Sequence, residues 1–372
     1  MRSRVVFALV VLAVLFPVNA GAIQPAGGSA AAWWVIGAVL FALPSTAVII
    51  ALGSEDGSPF ASLQGGGHLA HAGALAIWIA GCLAVLSASV AAISYGAYAL
   101  GMHPSAAVVG LLSLVLAVPC ILAGRQGWWG AALIVGAIAL LAVVLIAVAS
   151  AAAHSTAPAS AVTEGGWLHL SGGVAWMGLV VLGFVGAHEP YQRGGLRPVP
   201  GRAVWGAMAV VVVGYVLLTI ALARTLPTGT ATSFTSLADL GGLLGSGWSS
   251  LTAALVCIAF AAVTLGNGVV FRELQSDLRL PTGSTITLVV ATAALCFVAL
   301  PFALSDSGVD ASAGAYAVVQ GAAAVLWSLG YVAMGGLAMR TRHSRWIRMA
   351  GGLTAVFGLV GTVSVMTGSF TP

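Results

Sequence analysis

Apolar residues run along this chain in long blocks, and polar residues are confined to the short stretches between them. The blocks fall at about 4–22, 31–52, 72–100, 104–122, 127–150, 167–188, 203–223, 247–271, 285–304, 313–339 and 347–368. At a rise of about 1.5 Å per residue, some 20 apolar residues cross a bilayer core. Each block therefore predicts a membrane-crossing helix, some of them tilted. The expectation is an all-α integral membrane protein of about 11 transmembrane helices, forming one polytopic domain over residues 1–372.

The intervening stretches orient these helices. All thirteen basic residues are arginine. With the N-terminus in the cytoplasm, Arg2, Arg4, Arg125, Arg193, Arg197, Arg202, Arg272, Arg279, Arg340, Arg342, Arg345 and Arg348 all fall inside, and Arg224 alone falls outside. Cytoplasmic loops carry the excess of basic residues, so this alternation supports both the span count and the orientation. The exclusive use of arginine reads as the coding bias of a GC-rich, bacterial source, and so as a bacterial cytoplasmic membrane. The first block has a second reading. Arg2-Ser3-Arg4, an apolar run and then Ala20-Gly21-Ala22 also match a signal peptide, whose cleavage would leave ten spans with unchanged orientation.

Composition narrows the function classes. The chain is 60% hydrophobic and 6% charged, where a soluble domain carries roughly a quarter charged residues. The net charge of +4 is then an orientation signal, and no nucleic-acid partner is expected. No Asp, Glu or Arg lies centrally in any block, which weighs against a relay of buried charge. Cys82, Cys120, Cys257 and Cys296 stand singly in apolar blocks and read as packing residues. His68 and His71 have an i, i+3 spacing but no third ligand, so they read as a solvated loop. No catalytic residue, metal or resident cofactor is expected, and the chain does not read as an enzyme.

The sixth block holds the candidate chemistry. Gly178, Gly183 and Gly186 lie in its second half, followed by His188-Glu189-Pro190. Glycines there allow a helix to unwind and turn backbone dipoles toward a ligand at membrane depth. They also serve close helix packing. Phe184 reads either as a gate or as a core aromatic. His188 and Glu189 lie where the block meets the cytoplasm, as interfacial caps or as an inner, proton-sensitive gate. Asn267 puts an amide into an apolar stretch, for a substrate or for an interhelical bond. In the first block, Pro17-Val18-Asn19-Ala20-Gly21 can break a helix. Ser87, Ser89, Tyr95, Tyr98 and Gln320 are further polar groups at depth, and Ser236 to Leu244 reads as an amphipathic piece lying along the membrane surface.

These stretches resemble one family. Gly183-Phe184-Val185-Gly186, an acidic residue, and Arg197-Pro198-Val199-Pro200-Gly201-Arg202-Ala203 resemble the sixth helix and following loop of the amino acid–polyamine–organocation superfamily. Leu15-Phe16-Pro17-Val18-Asn19-Ala20-Gly21 is similar to the second half of its first helix. Asp56-Gly57-Ser58 through Trp78, Ser236 to Leu244, and Asn267 with Arg272, Leu274 and Leu280-Pro281 follow in the family's order. The resemblance implies two inverted five-helix repeats, about 4–150 and 167–339, with an extra helix at about 347–368 and with helices one and six broken at the substrate site. It implies a secondary active transporter of amino acids or related small amines, working by alternating access and coupled to H+ or Na+. It carries substrate binding to Asn19, Gly183, Phe184, Gly186 and Asn267, and gating to His188 and Glu189. The places of the family's first-helix G-x-G hold Val10 and Leu12. That departure motivates an alternative: a non-transporting membrane partner or sensor that keeps the fold around a degenerate site.

Overall fold

In a computed structural model of the chain, the residues described are all except 1, 56–58, 61–62, 64–65, 123–127, 155–169, 193–195, 228–229, 231–233, 282, 297–310, 341–343 and 367–372. Asp56, Gly57, Ser58, Arg125, Arg193 and Arg342 of the sequence reading lie outside the described residues.

All eleven predicted blocks contain helix. Segment one is Arg2–Val14 and Val18–Ala22, and segment two is Ala30–Gly37 and Leu43–Glu55. Segments three, four and five are His68–Ala99, Ala106–Leu122 and Trp129–Ala153. Segment six is Leu170–Gly183 and Glu189–Gln192. Segments seven to eleven are Gly201–Thr225, Ser246–Asp277, Ser284–Ala294, Ala311–Arg340 and Arg345–Met366. Among the described residues, eight helices are long and apolar enough to cross a membrane, and Ala106–Leu122 and Ser284–Ala294 are shorter apolar ones. The chain is thus an all-α, multi-pass membrane protein.

Among the described residues, three segments are interrupted within their length, each for a local reason. In segment one, Pro17 lacks the amide hydrogen needed to continue the helix, and residues 15–17 leave it. In segment two, Pro44 leaves the turn before it one donor short, and Ala38–Ala42 widens into a π turn. In segment six, Gly186 takes φ +117° within the turn 184–188, a conformation open to glycine and strained for other residues.

The helices pack as two units of five. Segments three and eight have 32 residues each and lie against one another. Segment five packs on eight and ten packs on three, while one packs on seven and six packs on two. Segment seven packs on five and two on ten, and four packs on eight and nine on three. Adding five to a segment's number (or subtracting it) carries every one of these contacts onto another. Five crossings are an odd number, so segment six enters from the membrane face opposite to segment one. The second unit is therefore inverted relative to the first. Segment eleven stands outside this scheme, against segments ten, six and two. It approaches ten at two glycines: a Cβ on Gly351 would lie 2.7 Å from the Gly335 carbonyl oxygen.

The amphipathic piece behaves differently from expectation. Ser236–Gly242 is helical, but Leu237, Ala238 and Leu240 are buried against segments five and eight instead of facing lipid. An apolar stripe is the same whether protein or lipid covers it, and here protein does. Segment three holds this cap down. The Tyr95 hydroxyl donates to the Phe234 carbonyl, and the Tyr98 hydroxyl donates to Asp239 Oδ1 at 3.1 Å.

Candidate functional site

The breaks of segments one and six face each other. A Cβ on Gly186 would lie 2.8 Å from the Ala13 carbonyl oxygen, so the turn of segment six lies directly against the end of the first half-helix. Val10 and Leu12 remain helical and buried, and the break begins only at Leu15. Its position follows Pro17 and not the family's glycine pair.

A helix break frees backbone groups that must find partners away from water. Buried tyrosines supply them on both sides. The Tyr215 hydroxyl of segment seven donates to the Val14 carbonyl at 2.7 Å and accepts from the Phe16 amide at 3.0 Å. It also accepts from Asn19 Nδ2 at 3.4 Å, which fills its one donor and two acceptor sites. The Tyr331 hydroxyl of segment ten accepts from the Gly186 amide at 3.0 Å and lies 3.1 Å from His188 Nδ1.

Aromatic rings fill the space around the first break. The Trp34 indole stacks on the Tyr215 ring with centroids 3.9 Å apart and planes 3° apart. Phe184 meets both edge-on, at 5.6 Å from Trp34 and 5.8 Å from Tyr215. Trp34 Nε1 donates to Thr219 Oγ1 at 2.9 Å, which fixes the indole in this plane. Gly183 makes room for it, since a Cβ there would sit 2.5 Å from the indole ring. Phe16 and Phe260 meet edge-on at 5.2 Å, and Tyr95 lies beyond Phe260. Gly183 therefore serves packing, whereas Gly186 serves backbone conformation.

A polar cluster surrounds the second break. Glu189 is the first residue of the short resumed helix of segment six, and it is 0% exposed, as is His188. With the Asn267 amide nitrogen turned toward it, that nitrogen donates to the two Glu189 carboxylate oxygens at 2.9 and 3.0 Å. Asn267, on segment eight, is itself buried. His188 Nδ1 faces Tyr331, its ring lies 5.6 Å from that of Phe60, and its Nε2 has no partner among the described residues. Protein encloses His188 and Glu189, with Asn267, Tyr331 and Phe60 against them.

The structure thus divides the sequence-predicted residues between two neighbouring clusters. Asn19, Gly183 and Phe184 gather at the first break, and Gly186, His188, Glu189 and Asn267 at the second. Sequence reasoning missed Trp34, Tyr215 and Tyr331. A signal was present for the tyrosines, because a hydroxyl in mid-span is costly unless bonded. Ser87 and Ser89, by contrast, donate to carbonyls of their own helix, Ala84 and Leu86. Among the described residues, no three His, Cys, Asp or Glu side chains come together closely enough to hold a metal ion.

No family model matches the chain, and no curated protein matches it. Among solved structures, it is similar to a manganese transporter of Eremococcus coleocola, crystallised with an aromatic bis-isothiourea substituted compound. The identity is 14%, the TM-score 0.61, and the match covers 98% of this chain and 85% of that one. At that identity the likeness is one of fold.

Proposed function

We propose that this protein is a secondary active transporter that moves a small polar solute across the cytoplasmic membrane of a bacterium, with its N-terminus inside. The observation that carries the reading is the contact between two helix breaks at the centre of an inverted five-helix repeat. Such breaks give each half of the fold backbone groups that can serve a ligand in one state and a side chain in another. Rocking of one half against the other then alternates access from the two sides.

The donor set favours an organic solute. The structural neighbour carries manganese, a cation suited by carboxylates, carbonyls and water. Around the first break, this chain holds an amide at Asn19, the Val14 and Phe16 backbone groups that the Tyr215 hydroxyl satisfies in this state, and the rings of Trp34, Phe184 and Tyr215. These suit a solute with a polar head and an apolar body, which fits the amino acids and small amines implied by the sequence resemblance. Glu189 is the candidate coupling group. Its described partner is a neutral amide, and it stands beside the turn that any movement of segment six must flex.

The test is substrate-induced thermal stabilisation across the proteinogenic amino acids and common polyamines, followed by counterflow in proteoliposomes. A ligand that binds the folded state raises its apparent stability by mass action. A hit whose counterflow survives Glu189→Gln, while uptake driven by a pH gradient is lost, supports both transport and coupling. Silence across the panel counts against the amino-acid and amine assignment.

One observation favours the second reading, a non-transporting partner or sensor. Tyr215 and Tyr331 already occupy the freed backbone groups at both breaks. In that case Tyr215→Phe would lower stability and open no ligand response. In a transporter, the same change exposes the Val14 and Phe16 groups to solute and alters the response.

A further inference from the structure

Away from the two breaks, a groove of about 410 Å³ opens on the outer surface where segments one, five and seven meet. Its floor is made by Ala8 and Ala137, and its walls by Phe7, Ile134, Ile138 and Leu141. Arg4 and Ser3 stand at one end, beside Ala203 at the start of segment seven. The rest of the lining is apolar, and Ile138 is 62% exposed on its outer rim. Two small residues on the floor make the surface concave where the flanking side chains stand proud.

The three helices all begin at this end: Arg2–Val14, Trp129–Ala153 and Gly201–Thr225. Each start presents unpaired amide hydrogens and the positive end of a helix dipole. Arg2, Arg4 and Arg202 are exposed on these same starts. Trp128, half exposed just before segment five, marks the depth of the membrane interface. On segment five the lining runs from Ile134 to Leu141, about 10 Å at the rise of an α-helix. The groove is apolar along its length, and exposed arginines stand beside its mouth.

We infer that this groove is a binding site for an anionic phospholipid of the leaflet facing the arginine-rich side. One acyl chain lies over Ala8 and Ala137, and the phosphate meets Arg4 with support from Arg202. Bulk lipid covers any outward helix face, and apolar side chains alone do not choose a headgroup. The arginines at the end of the groove supply the choice. The inference is independent of whether the protein transports.

The experiment is native mass spectrometry of the delipidated full chain, titrated with phosphatidylglycerol or phosphatidylcholine of identical acyl chains. Phosphatidylglycerol is expected to be retained at voltages that strip phosphatidylcholine. Arg4→Gln and Arg202→Gln, both exposed and harmless to packing, should each weaken that retention about fivefold. Ala137→Leu, which raises the floor, should weaken retention of both lipids. If that variant does not fold, the arginine variants decide. Equal retention of the two lipids, or retention unchanged by Arg4→Gln, would overturn the inference. So would inorganic phosphate displacing phosphatidylglycerol as effectively as a second lipid does, because the groove would then contribute nothing.

Discussion

Single residues carry the break geometry, and their worth can be stated. Gly186 combines a positive φ with a backbone oxygen in the path of any Cβ. Gly186→Ala is expected to destabilise by about 1–3 kcal/mol from backbone strain alone. The effect should appear as a lowered midpoint in thermal unfolding of the detergent-solubilised protein. Gly183→Ala tests a different mechanism, since it collides with an indole edge that can shift, and its loss should be smaller. Tyr215→Phe removes a hydroxyl that serves Val14 and Phe16 together. Leaving buried backbone groups unpaired costs about 1–3 kcal/mol, and the same thermal assay reads it. At this scale the sequence was partly legible. Gly186 and Asn267 could be singled out, because a glycine or an amide in an apolar run asks for a reason. The identity of their partners could not, because Tyr215 and Tyr331 are distant in the chain and meet the breaks only through the fold.

At the scale of helices, the apolar blocks gave the segments directly. Lipid demands apolar side chains over the full depth of a crossing, which leaves a signal far longer than any turn. The same uniformity hides where a segment breaks. The π turn at Ala38–Ala42 of segment two left no mark in the apolar pattern, whereas segment one breaks at Pro17, inside the Pro17–Gly21 stretch singled out in the sequence, and Val10 and Leu12 stay helical. Segment six resumes at Glu189 and continues to Gln192, and its charged residue belongs to the interior. The cap misled for a related reason, as its stripe does not say what it faces. Its tie to the bundle is specific and testable. Asp239 accepts from Tyr98 at 3.1 Å and from Thr235 at 3.3 Å. Asp239→Ala should speed hydrogen exchange over residues 234–244 while leaving segments three and eight unchanged, since a local element opens on its own free energy. Equal acceleration throughout would mean that the cap is not a separate unit.

For the whole molecule, contact symmetry and charge make separate statements. The contacts show two five-segment units related by inversion, and the proposed orientation rests on the arginines. An alkaline phosphatase fused after Met366 is expected to be active, and one fused after Arg340 inactive, because a single crossing separates them. The reverse result would turn the protein over without changing its fold. The two units also differ in where their arginines lie. In the first they open segment one and follow segment four; in the second all but Arg224 lie at or after the ends of the equivalents of segments one, three and five. The helices of either unit could be threaded through a bilayer both ways with the same internal packing. Insertion is thus a decision the architecture leaves open. On the proposed orientation it is made by a few arginines, so a fold that is nearly indifferent to up and down acquires a direction from side chains of which only some, such as Arg197 and Arg272, also bond the backbone.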